Sequence, residues 1–235
     1  SLKHDAIEDK NTLDLLASAY KNQAMDACIN GDPRFQTRTF ADTLVNSNPQ
    51  SAACNDSIDY VKSYDVLPVT PQAPVQDTME QTYLLAPEQL QFESQRQALD
   101  RKGLTPLLHT GWRFEGASKS RSPSMHLFAG NQLKNNMNTG FSYANSDFIS
   151  LLDTPEPLFN KAQSPTMKWE LDGLLKIHLR HYLYINADFD ISEKQDNGEL
   201  ESARFSQFRR VFSEDIHYFD HPRLGMIVQI RKFNH

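Results

Sequence analysis

Even positions from 176 to 184 carry Lys176, His178, Arg180, Tyr182 and Tyr184, while Ile177, Leu179 and Leu183 hold the odd ones apart from His181. Ammonium, guanidinium and imidazole groups pair with carboxylates. A tyrosine ring lies against the apolar face of a sugar while its hydroxyl hydrogen-bonds. His109, Arg113 and His126 offer similar groups from earlier in the chain. A surface of this composition suits an anionic glycopeptide. The alternative is the ordinary solvated face of an antiparallel sheet, and Asp188 and Asp190 dilute the cationic pattern.

"FRRVF" supplies Arg209 and Arg210 on opposite faces of a strand. Arg210 is expected to face the core and pair with Glu214, four residues on and on the same side, which leaves Arg209 for a ligand. In "SEDIHYFDHP", Glu214, His217, Asp220 and His221 bunch closely enough to suggest a metal or acid/base site. Zinc needs three or four converging ligands, but Glu214 and His217 differ by an odd number and point to opposite faces of a strand. A turn in which His and Asp cap backbone groups before Pro222 is the better reading. There is no G-x-S-x-G elbow, Walker loop, G-x-G-x-x-G fingerprint or H-E-x-x-H pair. No catalytic residue, metal ligand or cofactor site is assigned.

The elements that must position these groups come from periodicity. In "LLKIHLRHYLYINADFDI", residues 174–191, one apolar and one polar set alternate, with only His181 out of class. That unbroken phase predicts one long antiparallel strand without a sharp hairpin inside it. "LLHTGWRF" predicts a strand with His109 and Arg113 on one face, and "SMHLF" a shorter one. Asp196-Asn197-Gly198 signals a hairpin leading into "ARFSQFRRVFSEDIHYF", and "RLGMIVQIRKF" makes the last strand. A helix is expected around "NTLDLLASAYKNQ", capped by Asn11 or Thr12, and another at "APEQLQFESQRQALDRKG", opened by Pro87, closed by Gly103 and able to lie against a sheet. Residues 26–82 lose periodicity. Residues 129–166 form a long excursion with a short helix near "DFISLL". The fold class is therefore α+β: mostly an antiparallel β-sheet meander with a helix packed on one face. Residues 1–85 form a loop-rich N-terminal region, and 86–235 a helix plus antiparallel sheet domain.

A chain of 235 residues buries a sizeable core without metals or dense disulfides. A net charge of -6 argues against a general nucleic-acid binder, and no stretch approaches a membrane helix. Charge is uneven, however: residues 1–100 carry 7 basic and 15 acidic groups, whereas 101–235 carry 17 and 15 and seven of the eight histidines. An anion thus favours the second portion. Cys28 and Cys54 lie in an Asn-, Ser- and Asp-rich region with no metal-ligand quartet, and a disulfide is the preferred reading over two free thiols in a reducing cytosol. Ser1 is not an initiator Met, so an N-terminal segment has been removed or left out; a secretory signal would fit.

"LTPLLHTGWRF", "WELDGLLKIHLRHYLYINADFDI" and "FRRVFSEDIHYFDHPRLGMIVQIRKF" together resemble the CsiV family of periplasmic proteins from gammaproteobacteria. The matching motifs run from Leu107, His109, Trp112 and Arg113, through Leu171-Asp172-Gly173, Ile177, Leu179, Tyr182 and Leu183, to Arg209, Arg210 and the stretch Ile216 to Gly225. They cover residues 86–233. The string His217-Tyr218-x-Asp220-His221-Pro222 is the most specific. Two features depart from the family pattern. Arg180 is followed by His181 before Tyr182, where the family has Arg directly before Tyr, and no apolar strand precedes Leu13. The stretch 26–70 looks like an elaboration. The resemblance implies a noncatalytic peptidoglycan-binding protein of the periplasm that supports cell-wall synthesis through the lipoprotein activator of a class A penicillin-binding protein. The ligand-contacting residues expected from the polar face are His109, Arg113, Lys176, His178, Arg180, Tyr182, Tyr184 and Arg209. A protein adapter that touches no glycan, with long loops as partner surfaces, is the alternative. A metal-dependent cell-wall hydrolase using Glu214, His217 and His221 is the third reading.

Overall fold

The computed structural model describes residues 11–35, 54, 59–78, 80–133, 168–195 and 197–233. The expected helix near "DFISLL" lies outside them. The main sheet holds β1 (Thr12–Leu13), β4 (Ser124–Leu133), β5 (Lys168–Leu179), β6 (Leu183–Lys194) and β7 (Leu200–Val211), in that spatial order. β1 runs parallel to β4, and every other pair is antiparallel. Two small hairpins accompany it: β2 (Tyr83–Leu84) with β3 (Trp112–Arg113), and β8 (Ile216–His221) with β9 (Leu224–Gln229). The fold is α+β and predominantly antiparallel, as the periodicity implied.

The long strand expected over 174–191 is instead two strands joined at Arg180, His181 and Tyr182. Leu179 pairs with Leu183, Ile177 with Ile185 and Leu175 with Ala187, so each residue faces one of its own parity. Residues directly opposite in an antiparallel pair share a face. A hairpin whose loop holds an odd number of residues therefore carries the alternation through unbroken. His181, the one exception to the pattern, marks the apex. The departure from the family pattern falls in this same loop. The next connection, residues 195–199, is also odd in length and again pairs like with like, Phe189 with Phe205 and Tyr184 with Arg210. Gly198 supplies the positive φ of 85° that it needs.

The odd face is core. Leu171, Leu175, Ile177, Ile185, Ala187, Phe189, Ile191, Phe205 and Val211 are all buried, each large aliphatic side chain contributing roughly 1.5–3 kcal/mol. The β8–β9 hairpin covers this face near β7. There Arg209 donates to the Tyr218 carbonyl at 2.7 Å, Gln207 donates to the Asp220 carbonyl at 2.8 Å, and the His221 ring meets Phe205 edge-on. Gly173 sits beneath Phe189, where a Cβ would lie 2.2 Å from the Asp188 carbonyl oxygen and 2.6 Å from the Phe189 Cα.

α1 (Leu15–Ile29) starts later and runs further than the sequence suggested, with Asp14 at its N-terminal boundary. It packs on the even face of β4 by setting Tyr20 edge-on against Phe128, at 5.7 Å between ring centroids. His126 ties the helix start to the sheet, with Nδ1 2.5 Å from Asp14 and Nε2 3.1 Å from Asp172. Cys28, in the last turn of α1, is bonded to Cys54, which closes a loop with a sequence separation of 26. In the chain-entropy account this constraint contributes about 3.5 kcal/mol. α1 and residues 60–67 share one hydrophobic core with the sheet. α2 (Glu93–Arg101) does not lie against the sheet as expected, since none of its side chains is fully buried. The expected strand over 107–114 shrinks to Trp112–Arg113, held by Leu85 N–H donating to the Gly111 carbonyl and His109 N–H to that of Val69.

Candidate functional site

Toward the β5–β6 loop, the even face of the sheet turns from acidic to cationic and aromatic. His178, Tyr184 and Arg210 stand opposite one another on β5, β6 and β7, one row along from Lys176, Asn186 and Phe208. The rings of His178, Tyr184 and Phe208 lie nearly parallel, within 14° of one another, with centroids 5.3, 5.5 and 6.2 Å apart. Offset stacking of this kind holds each ring rigid. Beside them the Arg210 guanidinium lies over Tyr182 at 4.6 Å and over Phe212 at 5.3 Å, both rings about half exposed. Arg180 is exposed at the loop.

Electrostatics reinforce the pattern. Burial, together with the neighbouring cations Lys119 and Lys176, pushes the His178 imidazole below its usual pKa. His126, on β4 and the same even face, shifts the opposite way: its hydrogen bond to Asp172, then that to Asp14, raises it against the opposing effect of burial. Further along β6, Asp188 is clasped by Arg204 through bonds of 2.8 and 2.6 Å. This pair is exposed on the arginine side and adds little stability by itself.

Not all the expected residues come together. Lys176, His178, Arg180, Tyr182 and Tyr184 do. His109 stands apart beside α2, its Nε2 2.6 Å from the Gln91 carbonyl and its Nδ1 3.6 Å from Glu93. Arg113 is packed between rings, 3.3 Å from the Phe233 centroid and 5.4 Å from Tyr83. The two adjacent arginines exchange the places assigned to them. Arg209 lies on the covered face over the buried Phe219 ring at 4.8 Å. Arg210 is on the open face, and the ions paired within 4 Å do not include Arg210 with Glu214. Odd and even apolar residues alternate irregularly around Phe205, Phe208, Val211 and Phe212, so this segment had no single phase to read. The same irregularity was the available signal for Phe208 and Phe212, which the sequence reading left out of the site.

The "SEDIHYFDHP" cluster is used by the backbone. His217 Nε2 sits 3.0–3.1 Å from the backbone of Phe212, Arg223 N–H donates to His221 Nδ1 at 3.3 Å, and Tyr218 donates to Asp220 at 3.1 Å. Glu214 adopts φ 71° and accepts from Lys232 N–H at 2.8 Å. No group of three or more metal-ligating side chains occurs among the described residues. A recess of about 280 Å³ lies elsewhere, lined by Gln76, Thr78, Glu80, Gln81, Thr82 and Tyr83; it offers an acid and no cation.

The family model described as "Peptidoglycan-binding protein, CsiV" matches residues 1–233. The chain belongs to the CsiV family. The match extends well beyond the motifs between 86 and 233 and takes in the disulfide-bearing segment, so that segment is not outside the family frame. No curated protein and no solved structure matches this CsiV-family chain. Membership in a peptidoglycan-binding family, with a disulfide, points to an extracytoplasmic protein. Among the described residues no helix is long and apolar enough to cross a membrane. Within the family motifs, Asp172 bonds His126, Gly173 makes room for Phe189, and Tyr218 and Asp220 brace the last hairpin.

Proposed function

We propose that the protein is a noncatalytic periplasmic peptidoglycan-binding protein, and that it holds the polymer on the cation-and-ring patch of Lys176, His178, Arg180, Tyr182, Tyr184, Phe208, Arg210 and Phe212. The observation that carries this reading is Arg210 lying over two half-exposed rings next to three near-parallel ones. Rings offer flat apolar contact to sugar faces. The guanidinium and ammonium groups offer donors to the carboxylates of the peptide stems. The family description supports the ligand class. His109, Arg113 and Arg209 lie away from the patch and serve packing in this reading. By family resemblance, the bound protein supports wall synthesis by a class A penicillin-binding protein and that enzyme's lipoprotein activator.

Sedimentation with purified sacculi tests the binding step. Protein is expected in the pellet at low ionic strength, and retention weakens as salt shortens the screening length from about 10 Å at 0.1 M to about 3 Å at 1 M. Protein that stays in the supernatant at low salt sinks the reading.

A further inference from the structure

Ser124, Lys176 and Asn186 stand in one row across β4, β5 and β6, because Ser124 pairs with Lys176 and Lys176 with Asn186. His178 follows Lys176 on the same face of β5, two residues on and so about 7 Å away. Three of these four are buried polar side chains: Ser124 is 0 % exposed, Asn186 4 % and His178 7 %. Ser124 Oγ and His178 Nδ1 meet no hydrogen-bond partner among the described residues. Folding has removed both from water and, among those residues, given neither a protein group in exchange, which is rare for buried polar atoms. Lys176, half-buried among them, takes part in none of the ion pairs of the described residues.

The charge of this cluster is one-sided. The Lys176 ammonium supplies donors alone, and the hydroxyl, the primary amide and the imidazole each supply a donor beside an acceptor. The charges that act on His178 are both cations, Lys119 and Lys176. The Tyr184 and Phe208 rings lie along the imidazole at 5.3 and 6.2 Å and hold it in place. A compact acceptor carrying one negative charge meets the ammonium and the hydroxyl of such a cluster. A phosphate, with more acceptors and more charge, is met best by an arginine fork or a helix N-terminus, and the row contains neither.

We propose that Lys176, with Ser124, Asn186 and His178 around it, forms a subsite for a free peptide carboxylate. The inference rests on reading the open face as the peptidoglycan contact, and specifies which part of the polymer this row holds: the acid end of the peptide stem, not the sugar. The neighbouring Tyr182, Arg210 and Phe212 are left for the glycan.

Calorimetry and imidazole NMR on the full chain, titrated with N-acetyl-Ala-Ala as the free acid and as its amide, test the proposal; inorganic phosphate and diacetylchitobiose serve as further arms. The free acid should bind about tenfold or more tighter than the amide, as expected for a charge-assisted contact, and should shift the His178 resonances. Lys176→Met, with its melting temperature checked, should erase that discrimination. Ser124→Ala should reduce it and stands in if the lysine variant does not fold. Equal binding of acid and amide, tighter binding of phosphate, or discrimination that survives in a folded Lys176→Met protein overturns the subsite. Sacculus sedimentation separates the two claims. Acid selectivity without pelleting leaves the subsite standing and removes the peptidoglycan reading. Pelleting with acid and amide bound alike does the reverse.

Discussion

Arg209 and Arg210 are neighbours of identical chemistry on opposite faces of β7, so replacing each by alanine separates stability from binding within one segment. Arg209 donates at 2.7 Å to the Tyr218 carbonyl and lies 4.8 Å over the buried Phe219 ring, which joins β7 to the last hairpin. A hydrogen bond from a charged donor is worth about 1.5–3 kcal/mol, and the exposure of this side chain lowers the figure to about 1–2. For a chain of this size each kcal/mol moves the melting temperature by about 2–4 °C, so Arg209→Ala should melt about 2–8 °C lower. Its retention on sacculi should be unchanged at a temperature where it is folded. Arg210 lies over the half-exposed rings of Tyr182 and Phe212, and an exposed cation–π contact is worth about 0.5–1 kcal/mol. Arg210→Ala should therefore melt at most about 4 °C lower, while retention falls about tenfold to a hundredfold through the loss of one charge-assisted contact to the polymer. Thermal melts and quantitative sedimentation at fixed salt measure both quantities. If Arg209→Ala loses retention while its melting point holds, and Arg210→Ala pellets like the parent, the assignment of the two faces is wrong and the patch is not the docking surface.

Gly173→Ala should destabilise by about 1–3 kcal/mol, because the added Cβ meets the Asp188 carbonyl oxygen at 2.2 Å and the Phe189 Cα at 2.6 Å, and backbone atoms cannot swing aside. A melting temperature within a degree of the parent would show that β5 and β6 separate there at little cost. The pKa of His126 is raised in the folded state, chiefly by Asp172 and then by Asp14, so its stabilisation is complete below the unfolded value of about 6.5 and disappears as pH climbs through the higher folded value. His178 is lowered instead, so it removes stability as pH falls below about 6.5. Melts across neutral pH should therefore show a loss on the alkaline side that Asp172→Asn largely suppresses; a loss of the same size in that variant would assign the effect to other groups.

Much of the scaffold was legible because alternation is a local property. Leu175, Ile177, Ile185, Ala187, Phe189 and Ile191 are buried because every second side chain of a strand points the same way, and that needs no knowledge of partners. The Cys28–Cys54 pairing and the turn at Gly198 were readable for similar reasons: few arrangements suit two cysteines or a positive φ. The site was legible in part. Lys176, His178 and Tyr184 share a face by parity alone, whereas Arg210, Phe208 and Phe212 join them only because β7 pairs with β6 in one register, Tyr184 opposite Arg210.

Residue types and their period, by themselves, determined that this chain makes an antiparallel sheet with one apolar and one polar face, and the family motifs named its kin. Only the tertiary structure decided that 174–191 is a hairpin, since a loop of odd length leaves parity intact and so leaves no trace in the pattern. It likewise decided which of two adjacent arginines reaches the last hairpin, where His109 and Arg113 come to rest, and that Ser124 stands beside Lys176. Those outcomes are set by register between strands distant in sequence, where the free energy comes from packing whole faces together and no short segment holds the information.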